Sequence, residues 1–169
     1  MDIVNVNRTP ANFHDLWTAH AGAVRRFAIG LTGNPALADD LTAEAFTRLW
    51  SGWDSVRLPT VRAYLYTIVR NLHLQQSRRR RREDLLPDDL PRQDSIETQV
   101  ADRQVLAQLS RHLLELPEPD RAALLLRAVE GLPYEAIAIM LQLSAANVRV
   151  RVHRARQRLA TLTQRSDVK

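Results

Sequence analysis

Within twelve positions near its carboxyl end, the chain places Asn147, Arg149, Val150, Arg151, His153, Arg154, Arg156 and Arg158. A guanidinium is a rigid planar fork of donors. It matches phosphate oxygens and the O6/N7 edge of guanine. At about 100° per residue in a helix, Arg149, Val150, His153, Arg154 and Gln157 share one face. The opposite face carries an apolar stripe of Val148, Val152, Ala155, Leu159 and Leu162. This arrangement offers nucleic-acid chemistry. Asn147, Arg149, Val150, His153 and Arg154 are candidates for base edges, and Arg151, Arg156 and Arg158, flanking the stripe, for phosphates. Catalytic chemistry finds no such support. There is no Cys, which excludes a disulfide framework, a thiolate-ligated zinc and a thiol nucleophile. The five His, at 14, 20, 73, 112 and 153, show no metal-ligand spacing, and no nucleophile–base motif accompanies them. The expectation is a protein with no catalytic residue, no metal and no cofactor.

Charge is distributed unevenly. The 169 residues carry 24 basic and 19 acidic side chains, net +5, and Lys169 is the one cation that is not Arg. Residues 1–77 are near balance at +1, and Arg78 to Arg82 add five charges without interruption. Residues 83–120 hold 3 basic and 10 acidic groups, net −7, whereas residues 149–169 reach +6. Two basic segments around an acidic middle suggest nucleic-acid contact at two places. The Arg run alone also fits a solvated helix end or a linker.

The elements that must carry these residues read as helices. Phe13, Leu16, Trp17, Val24, Phe27, Ala28 and Leu31 form an amphipathic stripe that Gly33-Asn34-Pro35 stops. A second helix is expected from about Pro35 to Trp50, and a third begins near Pro59, carries Tyr64, Leu65, Ile68, Val69 and Leu72, and ends in the Arg run. Residues 83–95, with two Pro and five acids, show no period and read as a flexible linker. Helices resume at Ile96 with Val100, Val105, Leu106, Leu109, Leu113 and Leu114 apolar, and later ones are expected over about 118–130, 133–140 and 144–163. The last two, joined by a tight turn before the N-cap residue Ser144, have helix-turn-helix anatomy. That turn often uses Gly, whereas Gln142 stands here. The fold expected is all-α: two small helical domains, residues 1–82 and 96–169, joined by a flexible acidic linker at 83–95. Each is small enough to be marginal alone. No 18-residue apolar run or secretory leader is visible, so a cytoplasmic location without membrane insertion is expected.

Taken together, the motifs resemble those of bacterial extracytoplasmic-function (ECF) sigma factors, from about Phe13 to Leu162. The stretch from Leu116 to Glu135 is similar to the family's second-domain signature, and Val148 to Arg156 to its recognition helix. Ala38-Asp39-Asp40-Leu41-Thr42-Ala43-Glu44-Ala45-Phe46 resembles the core-polymerase docking helix. Arg62 to Leu72 resembles the promoter-melting segment. The resemblance implies docking on RNA polymerase through Asp40, Glu44 and Arg48, which share a face by their spacing of four. Acids at the start of that helix also fit compensation of its dipole. Asn71 matches the residue beside the flipped-out base of the −10 element, and Ser55, Val56 and Arg57 lie in the corresponding specificity loop. Tyr64 stands where the family usually has Trp, to stack on a base or to fill the core. Arg78 and Arg79 would meet upstream phosphates, and the carboxyl-terminal helix-turn-helix would read the −35 element. Ala43, Gln75, Gln142 and Leu58-Pro59 depart from the family pattern. The expected partners are bacterial core RNA polymerase, promoter DNA and an anti-sigma factor. The acidic middle would either thread a basic polymerase channel in the manner of RNA or serve as a solubilising tether.

Overall fold

A computed structural model describes residues 9–52, 61–83 and 101–167. The described residues form seven helices and no strand: α1 (Pro10–Thr32), α2 (Pro35–Ser51), α3 (Val61–Glu83), α4 (Ala101–Leu114), α5 (Glu118–Ala128), α6 (Tyr134–Leu141) and α7 (Ala145–Asp167).

Local chemistry sets the helix boundaries. The Thr9 hydroxyl accepts from the Asn12 amide, and Pro10 opens α1 where its missing N–H costs nothing. Gly33 ends α1 in the left-handed region (φ 67°), and Asn34 starts α2 by accepting from the Leu37 amide at 3.0 Å. Helix α3 begins at Val61 and runs through the whole Arg run, so Arg78 to Arg82 are the exposed end of a helix. Residues 84–95, most of the expected linker, lie outside the described residues.

Helices α1, α2 and α3 bury Val24, Phe27, Leu31, Leu41, Phe46, Leu49, Leu65, Tyr66 and Val69 together. Each large apolar side chain so buried contributes about 1.5–3 kcal/mol. Phe27 meets Tyr66 edge-on, with ring centroids 5.0 Å apart. Three residues counted in the sequence stripes are partly outside this core. Trp17, Leu109 and Leu114 remain 40%, 42% and 41% exposed. Trp17 instead covers Phe46 at 4.6 Å with one face, and Leu114 lies against Gly33.

Helix α5 is the centre of the other unit. All seven residues from Asp120 to Leu126 are buried, so its two internal charges need partners. Arg121 Nη1 donates to the carbonyls of Leu113, Leu114 and Leu116, which closes the end of α4. Asp120, 3% exposed, accepts from Arg151 Nη1 of α7 at 2.8 Å. The two units also touch each other. Leu125 packs onto Gly30 so closely that a Cβ there would come within 2.7 Å. Arg70 and Glu118 pair in a two-pronged geometry at 2.7 and 2.9 Å. The Glu130 carboxylate, 1% exposed, is bonded by Arg62 and, at 2.6 Å, by the Tyr66 hydroxyl. Burial first, and the Glu130 bond second, push the Tyr66 phenol well above its ordinary value, so it stays a donor.

Two measurable consequences follow from these charges. Arg151→Ala leaves Asp120 buried without a cation and is expected to cost about 3 kcal/mol in chemical denaturation. His73 of α3 is held below 6.5 by burial, then by Arg121, and further by Arg80 and Arg70, against the opposing pull of Glu118. His20 is lowered likewise, by burial and then by Arg62. The folded chain therefore favours neutral imidazoles, unfolding takes up protons, and stability complete above pH 6.5 falls as acid is added. A urea midpoint at about pH 5.5 is expected below that at about pH 7.5. His73→Gln should shrink the gap, and an unchanged gap would remove His73 as a cause.

Candidate nucleic-acid interface

The helix-turn-helix is α6, a three-residue turn and α7. Gln142 occupies the left-handed position (φ 56°, ψ 47°), and its amide donates to the carbonyls of Ala138 and Ile139. A non-Gly residue there costs roughly 1–2 kcal/mol. The Leu143 amide donates to Ala138 O at 2.9 Å, the closing bond of the turn. Ser144 Oγ then accepts from the Asn147 amide at 3.1 Å and caps α7. Val148, Val152 and Ala155 are buried against α5 and α6, while Leu159 and Leu162 are half-buried. Ile137, Ala138 and Leu141 of α6 are buried beside them.

The opposite face of α7 points outward. Asn147, Arg149, Val150, His153, Arg154 and Gln157 are all exposed, as are Arg156 and Arg158. Val150, 54% exposed, presents an apolar surface of the kind that contacts a thymine methyl. A shallow concavity is lined by Ala146, Asn147, Val150, Arg151 and Arg154. Arg151 differs from its neighbours. Its guanidinium is committed to Asp120, and its side chain is 25% exposed. Arg149 is also pre-positioned. It pairs with Glu135 at 3.3 Å and lies 5.3 Å above the Tyr134 ring, whose centroid is 4.6 Å from the Arg127 guanidinium. Arg127 in turn donates to Leu132 O at 3.0 Å. Neither the Asp120–Arg151 pair nor this arginine–tyrosine stack was named from sequence. The first links positions 31 apart, which no periodicity reports. The second links Tyr134 and Arg149, 15 positions apart across the turn, and a helix-turn-helix reading that paired the starts of both helices could have found it.

The other candidates sit in the first three helices. On α3, Asn71 is exposed and Tyr64 half-buried against the core. Seven residues separate them, two helical turns, so they share one side. Arg78 and Arg79 are exposed further along. On α2, Asp40, Glu44 and Arg48 are exposed, and Arg48 Nε donates to Glu44 Oε1 at 2.7 Å. The adjacent Asp39 accepts from Arg25 of α1 at 2.5 and 3.3 Å, and that bond holds its carboxyl below the usual value. Ser55, Val56 and Arg57 lie outside the described residues. Among the described residues, no three His, Cys, Asp or Glu side chains come together in a way that could hold a metal ion. No described helix is long and apolar enough to cross a membrane.

Comparison with known proteins matches residues 16–83 to the family model for sigma-70 region 2, and residues 106–159 to that for sigma-70 region 4. The chain is 37% identical over 154 residues to the ECF RNA polymerase sigma factor SigE of Mycolicibacterium smegmatis, covering 88% of this chain and 60% of that protein. It is 34% identical over 146 residues to the ECF RNA polymerase sigma factor EcfG of Rhodopseudomonas palustris, covering 83% of this chain and 78% of that protein. A solved structure of the sigma factor RpoE from Bartonella quintana, in complex with the anti-sigma factor NepR, superposes with a TM-score of 0.75 at 28% identity, over 90% of this chain and 97% of that one. With both sigma-70 regions in order along one all-helical chain, and a relative aligned over most of both lengths, the chain belongs to the extracytoplasmic-function (ECF) sigma-factor family.

Proposed function

We propose that the chain binds bacterial core RNA polymerase and directs promoter-specific initiation of transcription, with no catalytic activity of its own. The observation that carries this reading is the exposed cationic face of α7 on a helix anchored from behind by Arg151 and Asp120. An anchored helix with outward Arg side chains enters a major groove without first rearranging. In this reading residues 96–169 hold the −35 reader. Asn147, Arg149, Val150, His153 and Arg154 face the bases, and Arg151 sets the helix. Residues 1–82 dock on polymerase through Asp40, Glu44 and Arg48, and capture a −10 base beside Asn71, Tyr64 and the loop carrying Ser55, Val56 and Arg57. Arg78 and Arg79 meet duplex phosphates upstream. Residues 83–95 join the two. As NepR is to the solved relative, an anti-sigma protein is the expected regulator, and the cytoplasm the expected location.

Run-off transcription with core polymerase tests this directly. Asn71→Ala is expected to impair initiation on duplex promoters more than on pre-melted templates, because base capture drives melting. Equal loss on both would refute capture. Arg154→Ala is expected to cost about 1–3 kcal/mol at the −35 element and to relax selection at one position. Arg78→Ala is expected to weaken all promoters alike and to lower the salt slope by about 1. Strong sequence-specific binding of duplex DNA by the free chain would favour a stand-alone repressor instead.

A further inference from the structure

Among the described residues, α6 holds one exposed cation of α7, Arg149. Its guanidinium lies 5.3 Å from the centroid of the Tyr134 ring. Its Nη2 donates to Glu135 Oε1 at 3.3 Å. The ring is itself held. It is half-buried against the core, and the Arg127 guanidinium lies 4.6 Å from its centroid. Arg127 is tied in turn to Leu132 O. Support thus passes from α5 through Arg127 and Tyr134 to Arg149. Arg154 lies about 140° further round α7. It shares none of these contacts among the described residues.

We propose that Tyr134 and Glu135 are specificity-determining residues that restrict Arg149 to a guanine edge. Tyr134 fixes where the guanidinium lies, and Glu135 competes for its donors. The inference deepens the −35 reading under Proposed function and rests on it. Two properties of an Arg side chain set the problem. It binds phosphate as readily as guanine, and it loses much rotamer freedom when fixed. A mobile Arg149 would settle on a nearby phosphate, a contact that carries no sequence information.

The Tyr134 ring answers the second property. A guanidinium attracted to a ring is already placed, and that attraction uses none of its N–H donors. Glu135 answers the first. Its carboxylate offers paired acceptors, as guanine does with O6 and N7. Adenine and thymine each offer one acceptor in the major groove, and cytosine a donor. Guanine is thus the base that replaces the carboxylate acceptor for acceptor. Phosphate also has paired oxygens, but as an anion it is repelled by Glu135, whereas guanine is neutral. The carboxylate therefore works against the wrong partners as much as it holds the free side chain. The exchange is unobstructed. The Arg149 and Glu135 side chains are 58% and 68% exposed, so no buried group has to move.

The test is transcription by the full chain with core polymerase from promoters randomised across the −35 element. Comparison of wild type with Arg149→Ala identifies the position that Arg149 reads. There the variant is expected to lose a guanine preference of at least about fivefold. At that position Tyr134→Leu is expected to lower the preference about two- to fivefold, and Tyr134→Phe, which keeps the ring, to retain it. Preference at the position read by Arg154 should be unchanged in both. Glu135→Gln is expected to strengthen binding to every −35 sequence while lowering the guanine preference. An Arg149-dependent preference for another base would overturn the proposal, as would an undiminished preference in Tyr134→Leu. Equal loss in Tyr134→Phe would also overturn it, by placing the effect in the hydroxyl. If Tyr134→Leu loses preference at every position, the helix-turn-helix itself is disturbed and the free chain decides. Its Arg149 Nε–Hε resonance is expected to be displaced by the Tyr134 ring current and to stay displaced in Tyr134→Phe. An undisplaced resonance in wild type would overturn the proposal. Wild-type holoenzyme without any −35 preference would sink the −35 reading and the proposal with it, whereas a guanine preference that survives Tyr134→Leu sinks the proposal alone.

Discussion

A helix buried on every side while carrying charge is the constraint around which the rest is arranged. From Asp120 to Leu126, α5 has no exposed residue, so Asp120 and Arg121 must be satisfied internally or expel the helix from the core. Arg121 answers by capping the last carbonyls of α4, and Asp120 by reaching Arg151 on α7. Those two bonds fix the helix before α5 and the helix that faces outward. Just outside the buried stretch, Glu118 and Glu130 reach the other way, to α3. The angles between α4, α5 and α7, and the contact with the first unit, therefore follow from where the charges of one segment find partners. Apolar burial supplies the bulk of the stabilisation, but it is not directional. The ion pairs choose among the packings it allows.

The same accounting changes the meaning of the net charge. Arg25, Arg48, Arg62, Arg70 and Arg151 each pair with a carboxylate, and Arg127 is spent on a carbonyl and a ring. Arg149 pairs with Glu135 at an exposed site where both side chains are more than half open to water. An exposed pair of this kind is worth at most about 1 kcal/mol and exchanges readily for a phosphate or a base. Arg151, backed by a buried carboxylate, does not exchange so easily. Neighbouring residues of one helix, drawn from one residue type, thus divide into a buried anchor and an exposed, exchangeable cation. What separates them is the burial of the acid opposite, not anything about the arginine.

How much of this was legible follows from sequence separation. Boundaries made by neighbours were readable. Gly33-Asn34-Pro35 stops one helix and starts the next, Ser144 caps α7, and α6 and α7 fall within a few residues of their expected spans. The all-α class followed from stripes repeating at helical spacing. Trp17, Leu109 and Leu114 show the limit of a stripe, which reports which side of a helix is apolar but not how far the neighbouring helix extends over it. Glu118–Arg70 and Glu130–Arg62 were unreadable for a different reason. They join positions 48 and 68 apart, and no local pattern distinguishes these acids from the many that face water.

Gln142 brings these levels together. Its backbone lies in the left-handed region, where a side chain costs free energy that Gly would not, yet the turn keeps its form. Several contacts offset that cost. Two carbonyls of α6 accept its amide, Leu143 bonds back to Ala138, and Ser144 caps the helix that follows. Behind them, the buried Ile137, Leu141, Val148 and Val152 hold α6 against α7, and Asp120 holds α7 against α5. Local preference at one residue is outweighed by a set of non-local contacts that meet in the same place. Helix α7 therefore owes its orientation less to the turn preceding it than to the buried carboxylate behind it.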